Sequence, residues 1–140
     1  MTERAETLLA FDYGDKHIGV AVGQTLTGTA NPLESIRVTG ARPDWAAISR
    51  IVETWQPDAL VVGLPLNMDG TEQPVTERAR RFANRLHGRY RLPVHMVDER
   101  LTTREARDRL ASQGRTGDAD HPVAAQVILE GWFAERRAPA

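Results

Sequence analysis

The chain has 140 residues, 41% hydrophobic and 26% charged, with no cysteine and a formal net charge of −1. That composition fits one soluble globular domain over residues 1–140 and excludes a disulfide framework or a thiolate metal centre. With no apolar run long enough to span a bilayer and no signal-peptide pattern, a cytoplasmic location without membrane association is expected.

The first apolar run, Leu8-Leu9-Ala10-Phe11-Asp12-Tyr13, is separated by Gly14 and polar neighbours from a second, Ile18-Gly19-Val20-Ala21-Val22. The pattern predicts strand, turn and strand, an antiparallel hairpin opening the domain. Asp12 is unusual there, because acidic side chains are depleted from strands and rarely buried unless paired or bound to a cation. Two readings stay open for it: a plain turn residue, or a holder of metal or phosphate beside a glycine that admits a ligand.

Gly28 to Val38 predicts a third strand, which Pro32 assigns to an edge or a bulge. A helix is expected from Pro43-Asp44, with Trp45, Ile48, Ile51, Val52 and Trp55 on its apolar side and Pro57 closing it. Ala59-Leu60-Val61-Val62-Gly63-Leu64 is a continuous apolar run, as in a strand covered on both faces. A loop from Pro65 to Gly70 then leads to a helix with Val75, Ala79, Phe82, Ala83 and Leu86 inward and Arg78, Arg81 and Arg85 toward solvent. Pro93 to Val97 predicts a short strand ending at Asp98-Glu99-Arg100. Thr102 and Glu105 form a capping box for a helix running to about Ser112. The last helix should bury Ala124, Val127, Ile128, Gly131 and Trp132. Trp45, Trp55 and Trp132 are expected in the core, and His17, His87 and His95 as structural or surface residues.

Strands alternating with helices imply an α/β fold, a mixed sheet with the opening antiparallel hairpin and helices on both faces. Asp12 and Asp98-Glu99 both fall at strand ends, where open sheets bind ligands. Carboxylates gathered at such a place need a compensating cation, and oxygen ligands suit Mg²⁺ or Mn²⁺. Two such ions about 4 Å apart serve phosphoryl transfer. The charge layout agrees: residues 1–77 carry 5 basic and 11 acidic side chains, whereas residues 78–115 carry 11 arginines against 4 acids. An arginine-rich middle third fits a polyanion, although a solvated helical face would look the same.

Four motifs together resemble one family. Asp12-Tyr13-Gly14 with Ile18-Gly19-Val20-Ala21, Val62 to Gly70, Asp98-Glu99-Arg100-Leu101-Thr102-Thr103, and Ala124-Ala125 with Ile128-Leu129 resemble the YqgF family in order and spacing, over about residues 8 to 133. The resemblance implies a ribonuclease H-like fold and a metal-dependent nuclease that processes the 5′ end of the 16S ribosomal RNA precursor. The alternative is a Holliday-junction resolvase acting on branched DNA. It implies Asp12 and Glu99 as metal ligands, with Asp98 as an alternate, and a partnership with nucleic acid or the ribosomal subunit as a monomer or weak homodimer. Substrate contacts are expected from Lys16, Asn67, Arg100, Thr103 and Arg104, with Thr102 equally explained as a cap and Asp69 as a turn residue.

One position departs from the family pattern. Where an Asp usually stands, three residues before the Ala-Ala pair, this chain has His121, with Asp118 and Asp120 just upstream. His121 can serve as ligand or general acid, Asp118 or Asp120 can replace the carboxylate, or the site is impaired and the protein only binds RNA. Asp12-x-Gly14 also resembles the first phosphate motif of actin-like ATPases. Those enclose a nucleotide between two such domains, and no second Asp-x-Gly strand motif follows here.

Overall fold

The computed structural model describes residues 5–99 and 121–137. Their elements are β1 (Thr7–Tyr13), β2 (His17–Gln24), β3 (Thr29–Thr39), β4 (Arg42–Pro43), α1 (Trp45–Trp55), β5 (Ala59–Leu64), α2 (Pro74–Tyr90), β6 (Val94–Asp98) and α3 (His121–Arg137). The predicted helix over 102–112 lies outside the described residues. Among them, no helix is long and apolar enough to cross a membrane.

The strands form one mixed sheet in the order β4-β3-β2-β1-β5-β6. The hairpin β1–β2 is antiparallel as expected, and β5 and β6 continue the sheet parallel to β1. β5 sits between β1 and β6, and the layers above and below it explain its unbroken apolar run. Pro32 lies at a bulge: Val20 faces Glu34 but Ala21 faces Pro32, leaving Leu33 as the extra residue.

Alternation along β1 divides the core. Leu9, Phe11 and Tyr13 point toward α1 and α2, where Ile48, Ile51, Ala79, Phe82 and Leu86 pack on them. Leu8 and Ala10 point the other way, toward Ile128, Leu129, Trp132 and Phe133 of α3. Each large apolar side chain buried in these layers contributes roughly 1.5–3 kcal/mol. The last helix can lie this close because β2 presents glycine to it. A Cβ on Gly19 would stand 2.0 Å from the His121 carbonyl oxygen, and one on Gly23 2.9 Å from Leu129 and Phe133.

Helix ends follow their local chemistry. Asp44 caps α1 by accepting from the Ala47 N–H at 3.2 Å, and Pro43, placed by the sequence in that helix, belongs to β4. Pro74 opens α2, and the buried Thr76 hydroxyl accepts from the Gln73 N–H at 3.0 Å while donating to the Pro65 carbonyl. Thr76 thereby ties α2 to the loop leaving β5.

Two core expectations need correction. Trp55 is 40% exposed, because it is the last residue of α1 and lies past the sheet-facing stripe of Ile48 and Ile51. On α3, Ala124 and Gly131 are only half-buried, whereas Ala125, Leu129 and Phe133 are buried. This helix packs across β1, β2 and β3, so it buries a face wider than one stripe.

Candidate active site

Asp12 stands at the second-last position of β1, and its register partners are glycines on both sides, Gly19 of β2 and Gly63 of β5. Shared parity with Leu8 and Ala10 turns its side chain toward α3. Across β5, Gly63 faces Val97 of β6, and the ladder continues as the Glu99 N–H donates to the Leu64 carbonyl at 3.1 Å. Two residues beyond Val97, Glu99 shares the face of Asp12; Asp98 has the opposite parity. Strand alternation therefore selects Glu99 from the Asp-Glu pair. The Glu99 side chain lies over Gly63, where a Cβ would stand 2.9 Å from its Cγ and Oε1. A hydrogen bond joins its carboxyl to that of Asp12.

The third element arrives from α3. His121 opens that helix, with Nδ1 4.0 Å from Asp12 Oδ2. Its ring stacks on His17 at a centroid distance of 5.7 Å, and its Cε1 would lie 3.9 Å from a Cβ on Gly14. Asp12, Glu99 and His121 are thus brought together from the ends of β1 and β6 and the start of α3.

The electrostatics of the pair are unbalanced. Burial pushes the Glu99 carboxyl up to about 10, reinforced by the hydrogen bond to Asp12 and the negative charges of Asp12 and Asp98. The shift favours a protonated Glu99 beside an ionised Asp12, as two close carboxyls require. An oxygen-only donor pair of this kind fits a hard divalent ion, whose charge would replace that proton. Among the described residues, no group of three His, Cys, Asp or Glu side chains is arranged to enclose a metal. Asp118, expected as a third ligand, and Asp120 lie outside the described residues, as do Arg100, Thr102, Thr103 and Arg104.

The remaining expected residues among those described are Lys16 and Asn67. Lys16 is exposed in the β1–β2 turn, where its carbonyl accepts from the Val38 N–H at 2.8 Å. Asn67 is engaged inside its own loop: its Nδ2 donates to Thr71 Oγ1 at 2.9 Å and its N–H to the Thr71 carbonyl at 2.9 Å. Asp69 accepts from the same threonine's N–H and hydroxyl at 2.9 and 2.6 Å, so turn chemistry accounts for both residues.

Sequence reasoning missed three contributors. His17, expected to be structural or a surface residue, stacks on His121; nothing in its spacing signals this, because α3 is remote in the chain. Gly19 and Gly63 admit α3 and Glu99 to the sheet surface. Glycine inside an apolar strand was their only signal, and it reads as close approach once the register is known.

Residues 6–135 match the RuvX family, described as Holliday junction resolvase. A protein of Escherichia coli O7:K1 named "Putative pre-16S rRNA nuclease" is 55% identical over 134 residues, covering 92% of this chain and 96% of that protein. One of the same name from Salmonella arizonae is 54% identical over the same coverage. Among solved structures, Thermus thermophilus RuvC in complex with a Holliday junction substrate aligns with a TM-score of 0.59 at 15% identity, covering 94% of this chain and 95% of that one. The fowlpox virus resolvase aligns with a TM-score of 0.60 at 10% identity, covering 94% and 99%. At these identities the structural likeness concerns the fold alone, a mixed sheet of the ribonuclease H-like kind. The motifs that resemble YqgF, the match along residues 6–135 and the relatives agree: this chain belongs to the RuvX (YqgF) family of nucleases.

Proposed function

We propose that this protein is a divalent-metal-dependent nuclease that processes the 5′ end of the 16S ribosomal RNA precursor, with Asp12 and Glu99 at its reacting centre. The observation that carries the reading is the hydrogen-bonded Asp12–Glu99 pair, with Glu99 lying over Gly63. A buried carboxyl forced to keep a proton weakens a fold, and phosphodiester hydrolysis is a chemistry that rewards it. The substrate is taken from the relatives named for pre-16S rRNA, which match nearly the whole chain.

Asp12 and Glu99 would hold Mg²⁺ or Mn²⁺, with Asp118 as a candidate third ligand; when bound, the ion supplies water activation and charge neutralisation at phosphorus. The chain's own residues do the rest. Glu99 gives up its proton to become an acceptor. Asp12, held between two glycines, presents its carboxylate at the open end of the sheet. His121, 4.0 Å from Asp12, can hold or move a proton beside the leaving oxygen. Lys16, exposed at the turn, would meet a backbone phosphate.

A second reading, cleavage of branched DNA, is favoured by the family's description and by the fold shared with a resolvase bound to a Holliday junction. The deciding experiment offers labelled 16S precursor 5′ segment and a four-way DNA junction in parallel, with Mn²⁺, Mg²⁺ or chelator. Metal-dependent cutting of the RNA, lost in Asp12→Asn, supports the first reading, and preference for the junction supports the second. Binding with no cutting under any metal leaves an RNA-binding assembly factor.

A further inference from the structure

Two clefts flank the β3–β4 corner on its two sides, and both are rich in arginine. The first, open and about 640 Å³, is lined by Arg37, Gly40, Arg42 and Asp44 among others. The second, about 110 Å³, has Tyr13 and Phe82 in its lining together with Arg78, Arg81 and Arg85, and no carboxylate among the described residues. They share the corner itself: Gly40 and Arg42 line one, Ala41 and Pro43 the other.

The first cleft begins beside the candidate active site. Arg37 is the register partner of His17, whose ring stacks on His121. The second lies behind the same strand end, since Tyr13 follows Asp12 and points to the opposite face. A path from Asp12 past His17 and Arg37 therefore turns the β3–β4 corner and reaches α2.

The charges along this path differ in how far they are committed. Arg78 is engaged by Asp15 through two contacts, at 2.6 and 2.8 Å. Arg81 is 3.4 Å from Glu77, with its side chain 70% exposed. Asp44, the one acid among the described residues that line the first cleft, is occupied in capping α1. Among the described residues, no carboxylate pairs with Arg37, Arg42 or Arg85. Exposed guanidinium groups on both sides of one strand corner, with no carboxylate partner among the described residues, match the spaced phosphates of a nucleic-acid backbone.

We propose that these clefts form one phosphate track, along which the strand flanking the cleavage position leaves the Asp12–Glu99 pair, held by Arg37 and Arg42 in the first cleft and by Arg81 and Arg85 in the second. The proposal deepens the nuclease reading and rests on it. The track contacts phosphates only, so it tightens binding to any sequence and sets orientation rather than specificity.

The test is fluorescence anisotropy of labelled 16S precursor 5′ RNA, in chelator so that nothing is cut, across a potassium chloride series. Wild type is compared with Arg42→Gln/Arg85→Gln and with Arg50→Gln, whose side chain pairs with Glu34 at 2.9 Å away from the track. The double variant should bind at least about tenfold more weakly, with the slope of log affinity against log salt reduced by about 1–2, one fraction of a unit for each lost phosphate contact. Arg50→Gln should match wild type, and unchanged melting temperatures establish that all three are folded. A double variant with wild-type affinity and salt slope overturns the track while leaving the nuclease reading standing. Wild type that binds neither this RNA nor a four-way junction overturns both.

Discussion

Glu99 lies over the bare α-carbon of Gly63, the residue that faces Asp12 across the parallel pair β1–β5. A methyl group on Gly63 would stand 2.9 Å from Glu99 Cγ and Oε1 and 2.6 Å from Ile128 Cδ1, so either the carboxyl or the helix must move. Gly63→Ala is expected to cost about 1–3 kcal/mol of stability, the usual range for overpacking. Nuclease activity should fall by more than about tenfold, beyond what the unfolded fraction explains, because displacement of the reacting group is itself costly. Thermal melts and single-turnover cleavage on the same preparation check both parts; full activity in a folded variant contradicts the placement of Glu99.

The raised Glu99 pKa has a defined sign in stability. Its folded value of about 10 lies above its ordinary 4.5, so in the metal-free protein the folded state keeps a proton that the unfolded chain releases. The stabilisation is complete below about pH 4.5 and is lost as pH rises toward about 10. Glu99→Gln keeps a neutral side chain of the same shape. In chelator at mildly alkaline pH it should be more stable than wild type by more than about 1 kcal/mol, with a flatter pH dependence, yet be inactive with metal. Denaturant melts across pH compare the two proteins; parallel curves would show that Glu99 titrates normally.

His121 Nδ1 lies 4.0 Å from Asp12 Oδ2, and its ring is partly open to solvent, so its side chain can be replaced. Its side chain is 32% exposed at the mouth of the site. His121→Ala is expected to lower kcat by about 10²-fold or more, in the range of a lost proton-transfer group, with RNA affinity retained. Loss of affinity with kcat unchanged would instead make it a binding residue.

The tryptophans separate core from surface. Trp132 is 8% exposed and meets His95, Phe133 and Arg136, whereas Trp55 is 40% exposed at the end of α1. Trp132→Ala should destabilise by about 3–5 kcal/mol. Trp55→Gln should cost less than about 1 kcal/mol, near the scale of surface substitutions. Equal losses in urea melts would contradict the exposed position of Trp55.

Much of this arrangement was legible in the residues because period and punctuation were strong. The unbroken run from Ala59 to Leu64 marked the covered strand, Pro32 marked the bulge, and Asp12 stood out as an acid in a buried strand. The fold's family came from motif resemblance rather than from periodicity. What stayed hidden depends on contacts between distant segments. Glu99 could be separated from Asp98 only through the register with β5, and the tightness of Gly19 and Gly63 only through α3 and Glu99 lying on them. Trp55 was misread because a helical stripe does not reveal where the helix outruns the sheet.

The most direct test of the central claim, that Asp12 and Glu99 form one metal-holding pair, is calorimetric titration of Mn²⁺ at about pH 7 in buffers of different ionisation enthalpy. Wild type should bind with release of about one proton per site, the proton that Glu99 must surrender. Asp12→Asn and Glu99→Gln should each bind at least about tenfold more weakly, and Glu99→Gln should release none. Equal affinity and equal proton release in all three proteins would contradict the account.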